Sequence, residues 1–270
     1  MRNIKFKPFP DTEGHVVGLL HEPMLEREDH RELFPTVVIC PGGGYGFVSD
    51  READPVAAAY FAAGYQVFIL YYSVCENAAN FTPLRELSQT IFTLRENCDA
   101  WHIDENAIAV CGFSAGGHLA ASSGILWNHP KFLQTTHAFE GRHKPNVMIL
   151  SYPVITADEF AHEGSISAVS GAKPGTAEYE FFSLPQHVSA DTVPAFIWHT
   201  VTDETVPIEN SISLVQSLQK NHISYEVHFF PTGAHGISVC TKEVGEPDPY
   251  NARWMDMSIA WLNKQFDYIL

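Results

Sequence analysis

Apolar and polar positions alternate along this chain between two rhythms. Short apolar runs at 36–39, 66–70, 107–110, 146–150, 195–199 and 225–230 have the length of strands, and the first three read as buried on both faces. Between them lie stretches with helical spacing: 55–63, stopped by Gly64; 84–100, where Leu84, Leu87, Ile91 and Leu94 share a face; and 118–127, ending at Asn128 before Pro130. Two more follow at 208–220 and at 251–266, the last bearing Trp254, Ile259, Trp261 and Leu262. Thr82, next to Pro83, reads as the N-cap of the 84–100 helix. Alternation in Ile4-Lys5-Phe6-Lys7-Phe9 and over 15–20 predicts an antiparallel strand pair at a sheet edge. Strands alternating with helices predict an α/β fold, a mostly parallel sheet covered on both faces, with 1–270 as a single domain. The longest irregular stretch, 151–192, contains Gly164, Gly171, Pro174, Gly175 and Pro185. It is too polar for core, so we expect a small cap-like insertion with short helices over the carboxyl edge of the sheet.

The chemistry concentrates where the 107–110 strand meets the 118–127 helix. Gly112-Phe113-Ser114-Ala115-Gly116 satisfies Gly-x-Ser-x-Gly, and strand, motif, helix is the context of a nucleophile elbow. Such a turn holds Ser114 in a strained backbone conformation, and side chains at 112 and 116 would collide with neighbouring backbone. The serine oxygen then stands clear of the sheet beside a helix N-terminus, whose free N–H groups favour developing negative charge. A second glycine cluster, Pro41-Gly42-Gly43-Gly44-Tyr45-Gly46, follows the 36–39 strand. It fails the Rossmann pattern, because Phe47 or Ser49 stands where the last glycine is needed, and it lacks the Gly-Lys-Ser/Thr of a phosphate-binding loop. Two readings remain, a flexible turn or a set of backbone N–H groups aimed at an oxyanion.

A serine hydroxyl needs a base, and the base needs a partner that fixes its tautomer. In a doubly wound sheet these come from loops after the strands. The loop after 195–199 offers Asp203, with Glu204 as a rival acid. The loop after 225–230 offers His235, flanked by Gly233 and Gly236, with His199 and His187 as rivals. His118, one turn into the elbow helix, is expected to pack against the sheet. Tyr45, Tyr72 and Trp198 lie at strand ends, where aromatics either line a site or pack beneath it; Tyr45 is carried as a substrate-pocket candidate.

Composition narrows the partners. A formal charge of −16 disfavours nucleic acid and anionic membranes. No apolar run approaches membrane length, and the first residues lack the apolar core of a signal peptide. Five scattered cysteines without Cys-x-x-Cys pairing suggest a reducing, cytoplasmic protein without structural zinc. His21, Glu22, Glu26 and His30 have ligand chemistry, but a solvated charge run in a surface loop describes 21–32 better. No metal or cofactor is expected.

Taken together, the chain resembles an α/β-hydrolase, and within that superfamily the small esterase branch of acetyl-xylan-esterase-like and carbohydrate-esterase-like proteins. The resemblance rests on Cys-Pro-Gly-Gly-Gly-Tyr at 40–45, Gly-Phe-Ser-Ala-Gly-Gly-His-Leu-Ala at 112–120, Phe-Ile-Trp-His-Thr-Val-Thr-Asp-Glu-Thr-Val-Pro at 196–207 and Phe-Phe-Pro-Thr-Gly-Ala-His-Gly at 229–236. It implies Ser114 as nucleophile, His235 as general base and Asp203 as orienting acid, with an oxyanion hole from the N–H groups of Ala115, Gly43 and Gly44. Pro41 stands where many esterases have the histidine of His-Gly-Gly-Gly, so the loop must be braced differently, and the donors among Gly42, Gly43 and Gly44 stay open. The expected activity is hydrolysis of small polar esters, acetyl and sugar-acetate esters foremost. The same fold also hosts serine peptidases and idle ligand-binding relatives. The expected partner is a small-molecule ester, and self-association into a homo-oligomer stays open.

Overall fold

The apolar runs become strands β1 (Arg2–Phe6), β2 (His15–Leu20), β3 (Phe34–Cys40), β4 (Gln66–Tyr71), β5 (Ile103–Phe113), β6 (Val147–Ser151), β7 (Ala195–Thr200) and β8 (Tyr225–Phe230). The computed structural model describes residues 1–26, 31–136 and 139–268. All these strands share one eight-stranded sheet, ordered β1-β2-β4-β3-β5-β6-β7-β8. β1 and β2 form the expected antiparallel edge, and every pairing from β4 through β3 to β8 is parallel. Among the described residues the helices are α1 (Asp54–Ala62), α2 (Thr82–Glu96), α3 (Cys98–Trp101), α4 (Ala115–Ile125), α5 (Pro130–Leu133), α6 (Glu163–Ser170), α7 (Ala177–Glu180), α8 (Glu209–Lys220) and α9 (Arg253–Gln265).

Because strand side chains alternate faces, the same short runs feed two cores. Val38, Val110, Met148, Leu150 and Ile197 pack with Leu87 and Ile91 of α2, Leu119 and Ile125 of α4, and Leu214 and Leu218 of α8. Val37, Ile39, Cys111, Ile149 and Trp198 pack with Val56 and Tyr60 of α1 and with Trp254 and Leu262 of α9. Each such fully buried side chain contributes roughly 1.5–3 kcal/mol relative to exposure, which fixes strand register as well as stability.

β3 lies between β4 and β5, so the chain's path across the sheet reverses there. Open α/β sheets bind ligands outside the carboxyl ends of strands at such a reversal. The glycine loop after β3 and the elbow after β5 are therefore neighbours by topology.

Several expectations need correction. The 84–100 stretch divides at Asn97 into α2 and α3. Thr82 is the first residue of α2 and not its cap: Phe81, at φ 61°, occupies the cap position, and Thr82 Oγ1 donates to Ala79 O (2.8 Å). The 151–192 insertion carries α6, α7 and a 3₁₀ turn, Leu184–His187, as expected of short helices. It is not too polar for core. Val154, Ile155, Ile166, Tyr179, Phe182 and Leu184 all join the α2/α4/α8 core, since isolated apolar residues in short turns reach it one at a time without raising local hydropathy. His21 is not a solvated loop residue either: its ring stacks on Phe61 at 3.8 Å between centroids. His30 lies outside the described residues, and among those described no three His, Cys, Asp or Glu side chains are grouped to hold a metal ion. No described helix is long and apolar enough to cross a membrane. Cys40, Cys111 and Cys240 are buried, and none of the five cysteines is in a disulfide.

Candidate active site

Ser114 sits between β5 and α4 at φ 53°, ψ −119°, a conformation strained for any residue with a side chain. The elbow glycines are required by close approach. A Cβ at Gly112 would collide with the Gly116 carbonyl, and one at Gly116 with the carbonyls of Cys40 and Pro41. The Ser114 backbone is tied to the end of β6 from both sides, its N–H donating to Ser151 O (3.0 Å) and its carbonyl accepting from Val154 N (3.0 Å).

Two loops converge on that serine. His235 Nε2 lies 2.8 Å from Ser114 Oγ, and His235 Nδ1 lies 2.6 Å from Asp203 Oδ2. The histidine loop is pinned from two sides: Thr200 Oγ1 at the end of β7 donates to Gly233 O (2.9 Å), and Asn251 Nδ2, just before α9, donates to Thr232 O (2.8 Å). Gly233 has φ +154°, and a Cβ there would come within 2.6 Å of Thr200 Cγ2, so the small residues flanking His235 let that loop lie down. Asp203 Oδ1 accepts from the N–H groups of Thr205 and Val206, both at 2.9 Å. Burial alone would push the Asp203 carboxyl up, but hydrogen bonds from His199 and His235 outweigh it and hold the group below the usual carboxylate range. The rival acid, Glu204, is exposed.

His199, a rival base in the sequence, takes a different place. It is fully buried, its Nε2 lying 3.3 Å from the same Asp203 Oδ2 and 3.0 Å from Val206 O, with Nδ1 2.8 Å from Ser211 Oγ. A nitrogen facing a carbonyl and a carboxylate must donate, so His199 is a second donor to Asp203. His187 is remote from this cluster, its Nε2 donating to Phe181 O (2.7 Å). His118 is fully buried, but its partners lie in the insertion and the glycine loop and not in the sheet: Nε2 donates to Phe182 O and Nδ1 accepts from the Tyr45 hydroxyl, both at 3.0 Å. Burial lowers its pKa to about 4, so it is neutral at pH 7.

The brace that Pro41 makes necessary is Glu52, on a 3₁₀ turn, Asp50–Glu52, absent from the sequence reading. Its buried carboxylate accepts from Gly42 N (2.8 Å) through Oε2 and from the Tyr152 hydroxyl (2.7 Å) through Oε1. Tyr152 in turn accepts from Ser238 N (3.0 Å), beyond the histidine loop. Burial and the Glu52 charge raise the Tyr152 pKa well above its ordinary value, so the phenol keeps its proton and donates. Tyr72 adds a hydrogen bond to Pro41 O (2.6 Å). With its N–H bound to Glu52, Gly42 is removed from the open choice of donors. Among the described residues, no acceptor within the chain takes the N–H groups of Gly43, Gly44 or Ala115.

An open hollow of about 340 Å³ lies over this arrangement, bordered by Gly43, Gly44, Phe47, Ser114, His162 and His235. Tyr45 is not part of it. The ring is fully buried with its hydroxyl on His118, so this pocket candidate supports the glycine loop from beneath. Trp198 is buried too, donating to Ser151 Oγ (2.7 Å). Glu52, Tyr152 and His162 escaped the sequence reading. The one available signal was indirect, the missing histidine at position 41, which demanded some other partner for the loop.

The sheet, its flanking helices and the elbow between β5 and α4 are those of an α/β hydrolase. The chain belongs to the BD-FAE family, whose model matches residues 24–218. It is 33% identical over 233 residues to endo-1,4-beta-xylanase B of Butyrivibrio fibrisolvens, covering 85% of this chain and 35% of that protein. Similarity to the acetylxylan esterase of Xylanibacter ruminicola is 28% identity over 76% of this chain and 41% of that protein. The chain thus spans roughly two-fifths or less of the length of these curated relatives. Among solved structures, the acetyl ester-xyloside bifunctional hydrolase of Caldicellulosiruptor lactoaceticus superposes with a TM-score of 0.84 at 28% identity, covering 100% of this chain and 98% of that one.

Proposed function

We propose that the chain hydrolyses small polar carboxylic esters, acetyl esters of sugars foremost, with Ser114 as nucleophile, His235 as general base and Asp203 as its orienting acid. The observation that carries this reading is the unbroken run from Ser114 Oγ through both ring nitrogens of His235 to Asp203 Oδ2, with steps of 2.8 and 2.6 Å. Ser114 Oγ bonds to the acyl carbon as its proton passes to His235 Nε2. The carbonyl oxygen, now an anion, is met by the N–H groups of Ala115, Gly43 and Gly44. His235 returns the proton to the departing alcohol oxygen, leaving the acyl group on Ser114. Water, deprotonated by the same nitrogen, attacks that acyl carbon, releases the acid and restores the serine.

The acetyl preference is supported by the modest hollow and by likeness to proteins whose names carry acetylxylan and acetyl-ester activities. Ser114→Ala should lower p-nitrophenyl acetate turnover by about a millionfold with an unchanged circular dichroism spectrum. In the wild type, rates on acetate, butyrate and octanoate esters should fall in that order. Undiminished turnover by Ser114→Ala discards the mechanism, and a rise towards octanoate discards the substrate class.

A further inference from the structure

We propose that His162 is a specificity residue through which the insertion recognises the alcohol half of the ester, donating Nε2–H to a hydroxyl beside the scissile bond of a polyol. This deepens the esterase reading above and rests on it.

His162 stands just before α6 and borders the hollow together with Ser114 and His235. A Cβ at Gly44 would lie 3.9 Å from its Cε1, so the ring is beside the glycine loop. Its tautomer follows from its role as the cap of α6. Nδ1 accepts from Ser165 N (3.3 Å) and lies 2.8 Å from Ser165 Oγ. A ring nitrogen that accepts carries no hydrogen, so the neutral imidazole holds its proton on Nε2. Among the described residues, no group partners that nitrogen. Burial, and next the nearby His235, lower the His162 pKa, so at neutral pH the ring is an uncharged donor. Neutrality matters, because a cationic His162 would oppose the imidazolium that forms on His235.

The alcohol half is the target because of the direction of proton transfer. His235 protonates the departing alcohol, which must therefore lie beside that ring, and His162 borders the same hollow as His235. Ser49 and Thr205 also border the hollow and suit a hydroxylated leaving group better than an alkyl one. His162 is no second base: Ser114 Oγ already has His235, and an N–H donor cannot accept the serine proton.

The test compares kcat/KM for 2-hydroxyethyl acetate and propyl acetate, which share size and reacting bond and differ by one hydroxyl. His162→Asn keeps an acceptor for the Ser165 N–H, because Asn is a good cap, but is too short to reach the hollow. The wild-type preference for the hydroxylated ester should drop about tenfold in His162→Asn, the worth of one neutral hydrogen bond. His162→Gln, which carries an amide N–H further out, should recover part of it, and thermal melts should confirm that both variants fold. A preference unchanged in His162→Asn overturns the assignment while leaving the esterase reading intact. A wild type that hydrolyses neither ester overturns both.

Discussion

Asp203 shows how much one side chain can be asked to hold. Its two oxygens receive the backbone N–H groups of Thr205 and Val206, the imidazole of His235 and the imidazole of His199. Both histidines meet the same oxygen, so the plane in which His235 can approach is set partly by a residue that never touches Ser114. His199 is fully buried, and removing its ring strands the Ser211 hydroxyl and leaves Asp203 one donor short. His199→Phe is expected to cost about 1–3 kcal/mol of stability through unpaired buried polar groups. It should also reduce p-nitrophenyl acetate turnover, because the carboxylate can then rotate. His199→Gln, with an amide nitrogen near the place of Nε2, should restore most of both. Urea melts and initial rates on the three proteins check this. A rate loss no larger than the fraction unfolded would remove the orienting role.

At the scale of elements, the glycine loop is the clearest case of a local conformation held by distant partners. Gly43 has φ +126°, and a Cβ there would strike the Phe47 carbonyl. Such a turn keeps its shape only while something holds its ends, and Glu52, Tyr152 and Tyr72 do so. Glu52→Ala leaves the Gly42 N–H buried without an acceptor, costing about 1–3 kcal/mol. It also frees the Gly43 and Gly44 donors to drift, so turnover should fall by about a hundred- to a thousandfold, the scale of one lost oxyanion donor. A crystal structure of the variant and its kcat check this together: a fixed loop with full activity would contradict it. The strands and the elbow were legible in the sequence because each is written locally, in a continuous apolar run or a glycine pair. Asp203 and His235, by contrast, stood beside the rivals Glu204, His199 and His187, because the reach of a loop side chain is not written locally. Glu52 was not legible, because in sequence it is one acid in the polar run Asp50-Arg51-Glu52, and its burial depends on Tyr152, a hundred residues away. The core residues of the insertion were hidden for a related reason: Val154, Ile166 and Phe182 are separated by polar turns and become core only when the chain folds back over α4. Thr82 misled because the left-handed turn at Phe81 leaves no mark that composition can reveal.

For the molecule as a whole, pH is a strong lever. His118 joins the glycine loop through Tyr45 to the insertion through Phe182, and folding lowers its pKa from 6.5 to about 4. As pH falls through 6.5 the unfolded chain gains this proton and the folded one does not, so stability present above that pH is lost progressively down to about 4. A shift from 6.5 to about 4 amounts to roughly 3 kcal/mol. His21, His129, His143, His162 and His187 are lowered as well and add to the slope with the same sign. Denaturant melts at pH 7.5 and pH 4.5 should show a smaller decline for His118→Gln, which cannot take up a proton, than for the wild type. Equal declines would mean that His118 is protonated in the folded protein.

The Glu52 carboxylate has one more consequence. It grips the turn that presents the Gly43 and Gly44 N–H groups and, through the phenol of Tyr152, the stretch just after His235. The two halves of the machinery are thereby yoked, and neither can be retuned alone. A redesign that enlarges the acyl cleft by lengthening the 42–47 turn will drag the imidazole off its line of attack.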